Sequence, residues 1–354
     1  MLLRRSAGSG NYAYATTRVK ARKAFLFPRE TYLKLLQMDI PEISRFIGES
    51  KYKDEIDELA TRYSGIDLME HALNLNLARD FGQIMDFCKG ELKLLIGSYL
   101  NRWDVWNIKT ILRGKSFGAS EDEIRETLVP AGSIDLQKLN DLIRKAGIAD
   151  VVEGLAGTMF YRPLTSAMDE YNKTHLLSAF ENALDKAYYE NLLSLEIPGT
   201  RADELFISFI RLEIDFVNLR TLFRLKRENV EHEKIMAFMI PGGSKYNIDD
   251  LRKLAQASSY AEFLSMLKEY PYWDEISGAV QKSQETRSLN PVEIALRKAL
   301  IAHGERISHL YPLSVTPILG YIVRKNTEVN NLRIIARGKE SGLSDEAIKS
   351  QLVI

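Results

Sequence analysis

The chain has 354 residues, 45% of them hydrophobic, with one cysteine and with 48 basic and 48 acidic side chains that cancel. That length allows two or three domains with sizeable cores and excludes a chiefly disordered chain, while neutrality excludes a basic field over the whole surface of the kind that holds a phosphate backbone. A lone cysteine, Cys88, excludes an internal disulfide and any multi-cysteine zinc or iron-sulfur site within the chain, and points to a reducing compartment.

Residues 1–29 read as a basic arm. From residue 1 to 34 the cations are Arg4, Arg5, Arg18, Lys20, Arg22, Lys23, Arg29 and Lys34, against one acid, Glu30. Tyr12, Tyr14, Phe25 and Phe27 interleave with them, a mixture that suits an anionic lipid surface or stacked RNA bases and equally a solvated helix face. Arg4 and Arg5 lead into Ser, Gly and Asn rather than an apolar run, so no secretory signal is expected.

Beyond the arm the chain repeats itself three times, at 30–138, 139–250 and 251–354. In the first copy Leu95, Tyr99, Trp103, Trp106 and Thr110 recur at steps of four, four, three and four, the period of one α-helix. Arg113 and Lys115 stand at its last carbonyls. Gly118 is placed for the left-handed residue beyond a helix end, and Ser120 with Glu123 forms a capping box for a shorter returning helix. A breaker follows, Pro130-Ala131-Gly132-Ser133. The second copy repeats the stepping at Phe206, Ile210, Ile214, Val217 and Thr221, places Asn229 where the glycine stood, and breaks at Pro241-Gly242-Gly243-Ser244. The third repeats Arg337, Lys339, Gly342 and Ser344 before reaching Ile354. No stretch alternates with period two between hairpin turns, so the protein is expected to be all-α. A period near 110 residues is too long for a solenoid unit and right for a small domain.

The register comes from DVWNIKTILRGK at Asp104–Lys115, DFVNLRTLFRLK at Asp215–Lys226 and EVNNLRIIARGK at Glu328–Lys339. It superimposes Asp104, Asp215 and Glu328; Asn107, Asn218 and Asn331; Lys109, Arg220 and Arg333; and Arg113, Arg224 and Arg337. Downstream it superimposes Ile124 on Ile235 and Ile348, and Val129 on Ile240 and Val353. On a helix the acid and the amide lie about 60° apart, with the basic pair on the far side. Two readings follow. The repeated polar groups hold neighbouring helices and turns together, or one set lines a shared surface that grips a partner.

Catalytic constellations fail in turn. Lys109–Ser116, KTILRGKS, ends like a phosphate-binding loop, but Lys109 occupies the position where that loop needs glycine. Five histidines show no i, i+4 pair, and no G-x-S-x-G elbow occurs. No catalytic, cofactor or metal residue is expected. The uncharged run Leu310–Val323 is fourteen residues long and carries Pro312 and Pro317, too short to span a bilayer. A helical RNA-binding adaptor acting through the arm remains the competing reading.

NYAYATTRVKARK at the start, the three repeat motifs and the ending ILGYIVRKNTEVNNLRIIARGKESGLSDEAI together resemble a component of rotary archaeal and vacuolar-type ATPases or synthases, the C subunit of prokaryotes and d subunit of eukaryotes. The resemblance runs from residue 11 to the end. It implies three helical domains arranged as a pseudo-threefold funnel, a single copy per complex between the central shaft subunits and the membrane proteolipid ring, no active site, and a peripheral place on the cytoplasmic face. No specific nucleic acid is then expected. The membrane-proximal residues would be Arg18, Lys20, Arg22 and Lys23. Whether the complex makes or consumes ATP, and whether it moves H+ or Na+, is not written in this chain.

Overall fold

The computed structural model describes residues 10–195 and 201–354, the side chain of Asp203 excepted. Among them every regular element is a helix and no strand occurs. By its internal contacts the chain divides into two units, one made of the residues up to Phe25 with Met38–Leu195, the other of Leu26–Gln37 with the chain after Leu195. The boundary expected between arm and first copy, after residue 29, falls inside the helix Arg29–Leu35.

In the N-terminal unit the helix Tyr12–Lys23 is followed by Ile40–Gly48, Lys53–Leu59, Gly65–Phe87, Gly90–Leu100, Arg102–Phe117, Glu121–Glu126, Leu136–Ile143, Ile148–Gly154, Tyr161–Thr174 and Ser178–Leu193. Gly65–Phe87 buries Met69, Leu73, Leu77, Phe81 and Ile84, a stripe of helical spacing. Ile40–Gly48 starts at a full capping box between Asp39 and Glu42. The single helix expected across Leu95–Thr110 is divided at Asn101, whose N–H is shared between the carbonyls of Gly97 and Ser98. Its backbone stays near helical values (φ −59°, ψ −9°), so the apolar stepping passes through the break almost undisturbed.

The C-terminal unit contains Arg29–Leu35, then Arg201–Arg227, His232–Phe238, Ile248–Ala255, Tyr260–Leu267, Trp273–Thr286, Asn290–Leu310, Thr316–Glu340 and Asp345–Lys349. Phe223 meets Phe263 edge-on at 5.2 Å within a core that also holds Leu219, Ile235, Leu251 and Leu254. In the uncharged run Leu310–Val323, Leu310 and Leu313 are exposed, whereas Ile318, Leu319 and Ile322 are buried in the following helix. No helix of the described residues is long and apolar enough to cross a membrane.

All three long repeat helices end in the same turn. Gly118, Asn229 and Gly342 have φ of 72°, 54° and 66°. The next residue's N–H reaches back to the carbonyl five positions earlier: Ala119 to Gly114 at 2.9 Å, Val230 to Leu225 at 3.0 Å and Leu343 to Gly338 at 2.9 Å. This is the Schellman arrangement in triplicate, and the returning helices leave from Ser120 and Ser344 caps in the first and third copies. Because only glycine adopts this region without strain, Gly118→Ala should lower stability by about 1 kcal/mol and Asn229→Gly should raise it by about 0.5 kcal/mol. Urea-denaturation midpoints check both signs.

Candidate functional site

Each of the three repeated asparagines both donates and accepts a hydrogen bond inside the protein. The Asn107 side-chain amide donates to the Val129 carbonyl at 2.8 Å and its oxygen accepts the Val129 N–H at 2.8 Å. Asn218 brackets Ile240 in the same way at 2.7 and 2.9 Å, and Asn331 brackets Val353 at 2.9 and 3.0 Å. Each bracket spans 22 residues, and the clasped residue is the one that the repeat register aligns. One side chain therefore ties the long helix to the strip of chain that follows the returning helix, satisfying a main-chain donor and acceptor. At Ile240 both would otherwise be buried without partners, while the Val129 carbonyl also accepts the Ala131 N–H at 2.8 Å and Val353 is partly exposed. Asn11 makes a related clasp, donating to the Phe87 carbonyl and accepting from the Lys89 N–H, both at 2.8 Å.

The acid one turn earlier holds the chain just beyond the breaker. Asp104 accepts the Ser133 N–H and hydroxyl, each at 2.8 Å, and the Ile134 N–H at 2.9 Å. Asp215 accepts the N–H groups of Lys245 at 2.8 Å and Tyr246 at 3.2 Å and the Tyr272 hydroxyl at 3.0 Å. Burial pushes both carboxyls above the ordinary range, with these donors pulling the other way. Glu328 accepts the Phe27 N–H at 2.6 Å and the Lys325 ammonium at 3.4 Å, and both charged side chains are buried. The glycines of the two breakers are close-approach residues: a Cβ on Gly132 would lie 2.1 Å from Asp104 Oδ1, and one on Gly243 2.2 Å from Asp215 Oδ1.

The basic positions divide. Lys109 pairs with Asp185 at 2.6 Å and Arg113 with Glu181 at 2.7 Å, both acids on Ser178–Leu193 of the same unit. The Lys226 ammonium donates to the carbonyls of Ala255 and Ala257, and Lys339 to the carbonyl of Leu36 at 2.5 Å and to Asp345 at 2.7 Å. Arg113, Arg224 and Arg337 are exposed; Arg337 contacts Glu340 one turn on at 3.0 Å. The sequence could not indicate Asp185, Glu181, Tyr272 or the Phe27 N–H, since each lies far from its partner along the chain. The glycine shared at the third position of the breakers, Gly132 and Gly243, was a visible signal for the close approach.

The Gly-Lys-Ser at 114–116 also receives its explanation. A Cβ on Gly114 would sit 2.4 Å from Ile124, and one on Gly338 2.6 Å from Ile348, so glycine lets the returning helix lie against the long one. In the second copy Leu225 and Ile235 occupy those positions, both buried.

On the arm, Arg22 reaches Asp80 at 2.5 Å and Gln83 at 2.6 Å, and Arg18 lies over the rings of Tyr14 and Phe87. Arg18, Lys20 and Lys23 are exposed. A groove of about 590 Å³ runs between the arm helix and Gln83–Lys89. Among the described residues no His, Cys, Asp and Glu cluster has the shape to hold a metal ion.

Comparison with known proteins agrees over almost the full length. The family profile described as ATP synthase (C/AC39) subunit matches residues 15–351. A protein from Methanococcoides burtonii, named as the C subunit of an A-type ATP synthase, is 46% identical over 353 residues, 99% of this chain and 97% of its own. Its namesakes from Methanosarcina mazei and Haloferax volcanii are 46% and 40% identical, covering 99% of this chain and 95% and 99% of theirs.

Proposed function

The chain belongs to the ATP synthase (C/AC39) subunit family, and from that premise we propose that it is the non-catalytic central-rotor subunit of an A-type ATP synthase. In this reading one copy joins the central shaft subunits to the proteolipid ring, on the cytoplasmic face of the membrane, and passes rotation between them while H+ or Na+ crosses elsewhere. The observation that carries it is a match running the length of both chains to proteins named as the C subunit of an A-type ATP synthase. The brackets support a mechanical role. Each long helix, its turn and its returning helix are closed into a loop by side-chain bonds to the main chain, buried in the first two copies and partly buried in the third, which resists shear at the scale of one module. The three modules are proposed as equivalent domains of a funnel.

A pull-down of the purified chain with shaft subunits and with detergent-solubilised ring tests the proposal. Retention by both is expected, and retention by neither overturns it. We place the exposed arm cations Arg18, Lys20 and Lys23 toward anionic headgroups, at roughly 1 kcal/mol each, and leave Arg22 in its pairing with Asp80. Reversing those three to glutamate should weaken attachment to ring-containing membranes by about a hundredfold or more and leave shaft binding unchanged. Equal loss of both would place the arm elsewhere. Salt-resistant RNA binding by the same residues would favour the adaptor reading instead.

A further inference from the structure

We infer that Leu26–Gln37 is the closing element of the third repeat, a strap supplied from the start of the chain to a module near its end. The C-terminal unit carries the argument by itself, independently of the rotary reading.

In the first two copies the order after the bracket is fixed. A main-chain N–H bonds the repeat acid, an extended cap residue follows, and then a short helix packs back. The N–H donors are Ile134 to Asp104 and Tyr246 to Asp215. The caps are Asp135 (φ −70°, ψ 166°) and Asn247 (φ −79°, ψ 171°), and the helices are Leu136–Ile143 and Ile248–Ala255. The third acid, Glu328, receives its N–H from Phe27 at 2.6 Å, the cap is Pro28 (φ −72°, ψ 167°), and the helix is Arg29–Leu35.

The burial pattern repeats position by position. Counting onward from the donor residue, the fifth, eighth and ninth residues are buried in all three cases: Leu139, Leu142 and Ile143; Leu251, Leu254 and Ala255; Tyr32, Leu35 and Leu36. The ninth residue also carries a shared contact. Lys226, eleven positions after Asp215, donates to the Ala255 carbonyl, and Lys339, eleven after Glu328, donates to the Leu36 carbonyl. Tyr32 lines one cleft with Asn331, the bracket residue itself. Lys34-Leu35 stands where the second copy has Lys253-Leu254. A helix docked by chance would not reproduce the donor, the cap, the buried stripe and the lysine contact at matching positions. The third module is thus built from two pieces, joined across 301 residues of chain at Phe27 and Glu328.

Hydrogen exchange on the full-length protein tests the strap. Leu35→Ala should accelerate exchange about tenfold or more at Asp345–Val353 together with Leu26–Gln37, leaving Glu121–Val129 unchanged. Leu142→Ala, the matched change in the first copy, should show the opposite distribution. If Leu35→Ala leaves the chain unfolded, Lys339→Met and Tyr32→Phe, which remove one polar group each and little core volume, make the same comparison with smaller factors. Acceleration confined to Leu26–Gln37, or spread evenly through both units, would overturn the inference.

Discussion

Asn218→Leu is expected to lower stability by about 4 kcal/mol, with smaller losses of about 2 kcal/mol at Asn107→Leu, where the Val129 carbonyl keeps the Ala131 N–H, and at Asn331→Leu, where Val353 is only partly buried. At Asn218 the leucine fills the volume but leaves both the N–H and the carbonyl of Ile240 buried without partners, at about 1–3 kcal/mol each. The side chain sits in a fully buried position, so water cannot replace the lost bonds. Asn218→Asp separates the two halves of the clasp: it can still accept the Ile240 N–H but no longer donates to the Ile240 carbonyl, and it brings a charge into the core. Thermal and urea unfolding of the three leucine variants decides the matter. A loss under 1 kcal/mol at any one of them would mean that its bracket is not what holds that module closed.

Comparable losses are expected for Gly132→Ala and Gly243→Ala, also about 4 kcal/mol. A methyl group 2.1–2.2 Å from a carboxylate oxygen overlaps it outright, and that oxygen cannot retreat without releasing the N–H groups it holds. At Gly243 the added carbon would also lie 2.8 Å from the Tyr246 carbonyl, which is backbone and has less room to give. Overpacking alone costs about 1–3 kcal/mol, and the displaced carboxylate contacts add to it. Gly82→Ala is the control. It lies in the helix Gly65–Phe87 with nothing within 4 Å of the added carbon, so it should stabilise by about 0.5–1 kcal/mol. If Gly132→Ala behaves like Gly82→Ala, the close approach is not real in solution.

What the sequence disclosed was the local and the periodic. Helix spacing, the left-handed turns at Gly118, Asn229 and Gly342, and the Ser120 cap all depend on residues within a few positions of one another, and all were legible. The register was legible because three copies carry the same asparagine. Its bonding partner was not, since Val129, Ile240 and Val353 are clasped through main-chain atoms that every residue possesses. For the same reason the acids advertised their importance without revealing their donors. The division at Asn101 was hidden because its backbone angles hardly depart from helical ones. Leu26–Gln37 straddles the expected boundary between arm and first copy because its partners lie some three hundred residues away, and only the short Lys34-Leu35 likeness to Lys253-Leu254 hints otherwise.

The bond between Phe27 and Glu328 also sets a timetable for synthesis. A ribosome adding about 5–20 residues per second needs on the order of 15–60 s to cover the 301 residues that separate them. Through that interval Tyr32, Leu35 and Leu36 have left the exit tunnel while the helix that will cover them does not yet exist. The first two modules can close as they emerge, because their pieces are contiguous. The third must hold a short apolar helix in waiting, which makes that helix the part of the nascent chain with most need of a holding chaperone.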